Sequence, residues 1–276
     1  MTVSVHTNTS AMIALQNLTS TNKQLEESQN RISTGLKVSS AKDNASVYAI
    51  AQGQRADLNG LDAVTDSLNR ASSIADVSMA AGSSVSDLLN QLREKVVGAM
   101  DTSIDTTSRN ALNSDFKSIL SQITHVVENA TFNGANIIDG SMAKSIQFIA
   151  NSDANSTITL SVRTIALGGP IITITAGSSL SSATAASNLL GSLDTSIDNL
   201  NANLGALGSQ AKQIEGHLSF VSKLKDSITT GIGNLVDADM AKESASLQAL
   251  QVQQQLGTQA LSIANQAPQQ ILSLFK

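Results

Sequence analysis

Cysteine is absent from this chain, so no disulfide, thiolate ligand or cysteine nucleophile can be built from it. Tryptophan is absent, tyrosine occurs once, proline twice, and aromatics make up 2 % of the 276 residues. Large aromatics dominate thick cores, so the core here must be thin. The plentiful Ala, Leu, Ile and Val suit helix laid on helix. Charge is scarce as well, at 14 % of residues against about 25 % in typical domains. The net charge of −5 and pI near 5.1 argue against nucleic acid, which requires a clustered basic face. No polybasic run favours a membrane surface. The opening stretch MTVSVHTNTSAMIALQNL lacks the basic region and continuous apolar core of a cleaved secretory signal.

The charges that exist are unevenly placed. None lies between Thr2 and Asn22, and none between Ser244 and Phe275. Gln and Asn interrupt the second stretch too often for a membrane span, which needs about 20 mainly apolar residues. It is periodic instead. Leu247, Leu250, Gln254, Gly257, Leu261, Ala264, Pro268, Ile271 and Phe275 recur at steps of three and four, and Ala249, Val252, Leu256, Ala260, Ile263, Ala267 and Leu274 mark a neighbouring face. At the other end Ala11, Leu15, Leu18, Asn22, Leu25, Gln29, Ile32 and Leu36 trace a similar stripe. A helix that is apolar on more than one side is a buried helix. The two uncharged ends are therefore expected to pair with each other, and then to be covered further.

Between them the pattern predicts long helices. One runs from about Ala45 to Gly98, with Leu61, Val64, Leu68, Ala71, Ala75, Ser78, Gly82, Val85, Leu89, Leu92 and Val96 on its inner face. Small knobs in its middle allow close approach of a partner. A second helix carries Leu112, Phe116, Ile119, Ile123, Val126 and Ala130. The most regular segment, Ala186 to Leu235, keeps its alternation of four and three through Leu190, Leu193, Ile197, Leu200, Leu204, Leu207, Ala211, Ile214, Leu218, Val221, Lys225, Ile228 and Ile232, with Lys225 the one polar exception. At 1.5 Å per residue it makes a rod of about 75 Å, and its seven-residue repeat predicts a left-handed coiled coil. Asn133–Gly134 and Asp139–Gly140 are turn signals. After them Ile146–Ala150, Thr157–Val162 and Ile171–Thr175 read as short strands of a small hairpin region, at about 140–178. The fold expected is mainly α: antiparallel helical rods, a β-hairpin region, and paired terminal helices.

No catalytic constellation emerges. His6, His125 and His217 stand far apart without a second ligand at metal-binding spacing. His125 and His217 read as bundle residues rather than ligands. Gly205 and Gly231 sit within helical period and lack a phosphate-loop ending. The Glu26–Glu27 and Asp237–Asp239 pairs read as solvated or interfacial acids rather than an acid/base couple. No catalytic, cofactor-binding or metal residue is assigned, no cofactor is expected, and an enzyme with its site in the hairpin region is disfavoured.

Three segments carry a family resemblance. Arg31–Tyr48, RISTGLKVSSAKDNASVY, resembles the N-terminal signature of bacterial flagellins. Ala130–Gly140, ATFNGANIIDG, is similar to an internal motif of the same family. Asp237–Phe275 resembles the family's C-terminus, through DADMAKESASL and QQLGTQALSIANQAPQQILSLF. The chain looks like a short α-proteobacterial flagellin, with room between Gly140 and Leu180 for the hairpin but not for a large outer domain. The resemblance implies a structural subunit that polymerises with itself and other flagellins into the extracellular filament for swimming motility. It also implies unfolded export by the flagellar type III apparatus, with a chaperone, a filament cap and hook-junction proteins as partners, no nucleic acid and no membrane insertion. Residues 1–43 with 236–276 become an inner-core domain of terminal helices, and 44–235 a rod domain. Filament packing falls to Leu15, Leu18, Leu25, Ile32, Leu247, Leu250, Leu256, Leu261, Ile271 and Phe275. The alternative is a hook–filament junction adaptor with the same terminal plan; DADMAKE and ANQAPQQILSLF favour flagellin. Leu89–Gly98, LNQLREKVVG, departs from the family segment sensed by the innate immune receptor, with Gln91 in place of an Arg and Lys95 in place of a Leu. Weak or absent receptor signalling is expected.

Overall fold

The computed structural model describes residues 7–273, with side chains as far as Gln266. Its elements are α1 (Thr9–Thr34), α2 (Ala45–Ala99), α3 (Thr106–Asn129), β1 (Ile146–Ile149), β2 (Thr157–Leu160), α4 (Ala183–Val236) and α5 (Met240–Ser273). The mainly α fold with a small hairpin is the one expected. The chain divides into two compact units, Met1–Ala56 with Ser227–Lys276, and Asp57–Asp226.

In the first unit α1 and α5 pack antiparallel. Asn8 caps α1 by accepting the Ala11 amide at 3.0 Å, and Gly35 ends it in the left-handed region at φ 71°, where glycine carries no Cβ penalty. The inward side of α1 is Ala11, Ala14, Leu18, Thr21, Leu25, Ser28 and Ile32. This corrects the expected stripe. Leu15, Asn22 and Gln29 lie one position off the seam and are exposed, although Asn22 still reaches Gln254 of α5. Leu36 lies beyond the helix, in an isolated bridge to Asp237. There the Lys37 and Val38 amides donate to the Val236 carbonyl at 2.7 and 3.2 Å, and the Ala238 amide to Gly35 at 2.9 Å. Next to this clasp Asp43 accepts the Ser39 and Ser40 amides, both at 2.9 Å. These bonds and the two serine hydroxyls hold its carboxyl below the ordinary value. Asn44 then caps α2, accepting the Val47 amide at 3.1 Å.

The second unit is built on α2, α3 and α4. Every residue of the expected α2 stripe from Leu61 to Val96 is buried. Asp62–Lys225, Gly82–Leu204 and Arg93–Asp194 run in opposite chain directions, so α4 is antiparallel to α2. Gly82 abuts the Leu204 side chain with no room for a Cβ. Lys95–Asp115, at 3.0 Å, and the Gly98–Leu112 contact tie α3 to α2. Asp105 caps α3 by accepting the Ser108 amide at 2.7 Å, and that bonding lowers its pKa. In α3 the buried residue near the end is Val127; Val126, one position off the seam, is only half-buried.

The strands pair antiparallel, Ile146 opposite Leu160 and Phe148 opposite Ile158. The expected third strand is reduced to one parallel bridge, Leu167–Ile172. Ile171, Ile172 and Ile174 are all buried, and the Thr173 amide goes to the Ser196 hydroxyl at 3.1 Å instead of to a strand. That bond belongs to a ladder along α4. His217 bonds the Ala150 carbonyl at 2.7 Å, Gln210 bonds the Ser161 hydroxyl at 2.8 Å, Asn203 accepts from Arg163 at 2.7 Å, and Ser196 takes Thr173. The four α4 residues repeat every seven positions, so one polar helix edge docks the whole hairpin region. Its other anchor is the buried Asn136. Its amide donates to the Val127 carbonyl at 2.7 Å, and its oxygen accepts the Ile138 and Asp139 amides at 2.9 and 3.1 Å.

Candidate assembly surface

The surface of interest lies on the paired terminal helices. Leu18, Leu25, Ile32, Leu247 and Leu261 are half-buried in the α1–α5 seam, and Leu250 is 8 % exposed. Six of the ten expected packing residues therefore stabilise the pair itself. Leu15, at 53 % exposure, and Leu256, at 58 %, point away from it. The Ile271 side chain and Phe275 lie outside the described residues.

Outward-facing apolar groups go beyond that pair of leucines. Met12 and Ile13 are exposed on α1, and Val252 and Ile263 on α5. Val252, Leu256 and Ile263 are four and seven residues apart and so share one helix face; the smaller Ala249 and Ala260 on that side are exposed too. Sequence periodicity already separates this stripe from the Leu250 face. Met12 and Ile13 are visible only once the α1 seam is placed. Covering a Leu or Ile side chain fully contributes about 1.5–3 kcal/mol. A helix pair that leaves such a row in water, with no charge beside it, gains when another apolar surface covers it.

Polar contacts punctuate the seam. Ser28 donates to a Glu243 carboxylate oxygen at 3.1 Å, and Arg31 pairs with the other at 3.1 Å. Gln254 donates to Asn22 at 2.8 Å, and the Asn8 amide to the Ala264 carbonyl at 2.7 Å. Opposite Leu18 stands Gly257, where an added Cβ would come within 3.1 Å of a leucine methyl.

His125 is exposed. His217 spends Nε2 on a carbonyl, which can only accept, so that nitrogen carries the proton. His6 lies outside the described residues. Among the described residues no group of three or more His, Cys, Asp or Glu side chains could hold a metal, and no helix is long and apolar enough to cross a membrane. A shallow groove of about 450 Å³ runs between α2 and α3, lined by Ser84, Asp87, Leu88, Gln91, His125 and Val126 among others. Gln91 is exposed there, and Lys95, one turn on, is half-buried and paired with Asp115.

Long antiparallel helices, a seam of heptad spacing and an outward apolar stripe define a coiled-coil structural protein. The model for the bacterial flagellin N-terminal helical region matches residues 5–143, and that for the bacterial flagellin C-terminal helical region matches 190–275. The chain belongs to the bacterial flagellin family. It is 50 % identical to flagellin FljM of Caulobacter vibrioides, over 99 % of this chain and 98 % of that one. A flagellin of Brucella melitensis is 40 % identical, over 99 % of both chains. Among solved structures, a putative flagellar hook-associated protein from Vibrio parahaemolyticus superposes with a TM-score of 0.60 at 13 % identity, covering 71 % of this chain and 100 % of that one. At that identity the likeness speaks for the fold alone.

Proposed function

We propose that this chain is the structural subunit of a bacterial flagellar filament and that it polymerises by burying the outward faces of α1 and α5 among copies of itself. The observation that carries the reading is the exposed row Val252, Leu256 and Ile263 on a helix with no charge from Ser244 onward. Full-length likeness to flagellins supports the same role. Residues 1–43 with 236–276 then form the inner core of the filament, and 44–235 the surrounding rod shell. Ile271 and Phe275 count among the residues that pack the filament on the same reading. The role is mechanical, without catalysis or cofactor.

On this reading the chain is secreted through the flagellar type III apparatus, handed over by a chaperone, added beneath a filament cap, and joined to the hook by junction proteins. It ends up outside the cell. Gln91 and Lys95 weaken recognition by the innate immune receptor for flagellin. The direct test is elongation of short filament seeds by the purified chain. Growth into long filaments supports the subunit role. Addition of only a few copies, with no elongation, points to a junction adaptor and overturns it.

A further inference from the structure

The α1–α5 seam is repetitive. Leu18, Leu25 and Ile32 recur at heptad spacing on α1, so a slide of one heptad would set Leu25 over Gly257 and Ile32 against Leu250 and keep the seam apolar. Yet the outward faces depend on one register, because sliding α5 along α1 moves Val252, Leu256 and Ile263 relative to Met12, Ile13 and Leu15. Something must forbid the slide. The backbone clasp of Gly35, Lys37 and Val38 with Val236 and Ala238 anchors one end only.

We propose that Ser28, Arg31 and Glu243 are positioning residues that lock the axial register of the terminal helix pair and so compose the surface used for assembly. The proposal rests on the filament-subunit reading. Ser28 is 3 % exposed within the seam, and the Glu243 side chain is 14 % exposed. The Ser28 hydroxyl reaches both the Glu243 carboxylate, at 3.1 Å, and its backbone carbonyl, at 3.3 Å. Arg31 neutralises the same carboxylate.

A one-heptad slide in either direction destroys all of this. Ser28 would face Leu250 or Val236, and Glu243 would face Gly35 or Thr21 with no cation beside it. A carboxylate largely removed from water and left unpaired is costly. The same slide would set Leu18 against Leu250 in one direction and Leu25 over Gly257 in the other, so the apolar contacts alone do not forbid it. A polar group at a core position of a coiled coil specifies register at some expense of stability. Here the specifier is a hydroxyl–carboxylate–guanidinium cluster.

The absence of cysteine makes the test direct. Two reporters are built in the full chain: Leu18→Cys with Gly257→Cys, which meet in the observed register, and Leu25→Cys with Gly257→Cys, which meet only after a slide. Each is made with the lock intact and with Ser28→Leu and Glu243→Leu together. The chains are oxidised in ammonium sulfate, which strengthens apolar burial. With the lock intact the first pair should cross-link and the second should not. With the lock replaced by leucine, the ratio of first to second product should fall roughly tenfold or more, as for loss of a register specifier. The charge-swapped chain, Arg31→Glu with Glu243→Arg, should restore the ratio toward that of the intact lock. An unchanged ratio in the leucine variant overturns the proposal, since the clasp would then suffice. So does failure of both pairs to cross-link with the lock intact. Seed elongation is scored separately on the chain with its native sequence: failure there removes the subunit reading whatever the cross-links show.

Discussion

Truncating Leu256 to alanine should weaken polymerisation while leaving the free chain almost untouched. The side chain is 58 % exposed on α5 and lies off the α1 seam. Full burial of a leucine contributes about 1.5–3 kcal/mol, so covering the exposed part is worth roughly 1–2 kcal/mol per subunit. Loss of most of that raises the critical concentration for elongation by about 5- to 30-fold, at tenfold for each 1.4 kcal/mol. In the free chain an exposed substitution of this kind shifts stability by no more than about 0.5 kcal/mol. Leu250→Ala is the contrasting control. At 8 % exposure it sits inside the pair, and its loss costs about 2–5 kcal/mol in α1–α5 association itself. The assay is seeded elongation followed by light scattering, with helicity of the free chain read by circular dichroism. A Leu256→Ala chain that elongates at the native critical concentration would refute the reasoning, because the outward stripe would then not be what assembly covers. Leu256→Asp sharpens the result: a carboxylate buried between subunits without a partner should abolish growth.

Three further outcomes are expected. Asn136→Ala leaves the Val127 carbonyl and the Ile138 and Asp139 amides without their bonds, and should lower stability in urea by about 2–4 kcal/mol; a change under about 0.5 kcal/mol would contradict its anchoring role. Asp43, Asp101 and Asp105 all titrate below their ordinary value of 3.8, chiefly through bonds to serine amides and hydroxyls. A depressed carboxyl contributes stability above its unfolded pKa that is lost as pH falls through the folded one. The loss below pH 3.8 should therefore be smaller in Asp105→Asn, which keeps the α3 cap without the charge; thermal melts across that range check it, and an identical acid loss would count against the Asp105 cap. Finally, Gln91→Arg with Lys95→Leu should raise signalling through the flagellin receptor above that of the native chain in a reporter cell line. Full potency of the native chain would show that these two positions do not matter.

Much of the fold is legible in the sequence because long heptad patterns constrain it. The α2 stripe is buried at every position from Leu61 to Val96, while Ser67 and Ile74, off that stripe and seven residues apart, are buried as well. In α1 two phases compete. Both contain Ala11, Leu18, Leu25 and Ile32, and they differ in whether Leu15 or Ala14 joins them. Hydrophobicity favours Leu15. Packing selects Ala14, because helices at close range take small residues and leave the larger leucine outside. The Val126 and Val127 choice in α3 is of the same kind.

The third strand was unreadable for another reason. Ile171–Thr175 has strand composition, but the Thr173 amide finds Ser196 on α4, a partner more than twenty residues away. The ladder of Ser196, Asn203, Gln210 and His217 was in plain view at seven-residue spacing. Its meaning depends on what it faces, and that is a property of the fold. The assembly surface was half legible: Val252, Leu256 and Ile263 form a visible second face of α5, whereas the Ser28–Arg31–Glu243 cluster joins residues from opposite ends of the chain and carries no local pattern.

The measurement that bears most directly on the central claim is elongation by the purified chain alone from filament seeds, imaged to give length against time. Length should increase steadily with free subunit, and a helical reconstruction of the product should place Val252, Leu256 and Ile263 within contact of neighbouring copies. Filaments that grow with those three side chains still facing water, or seeds that never lengthen, would contradict the claim that α1 and α5 drive assembly by burial.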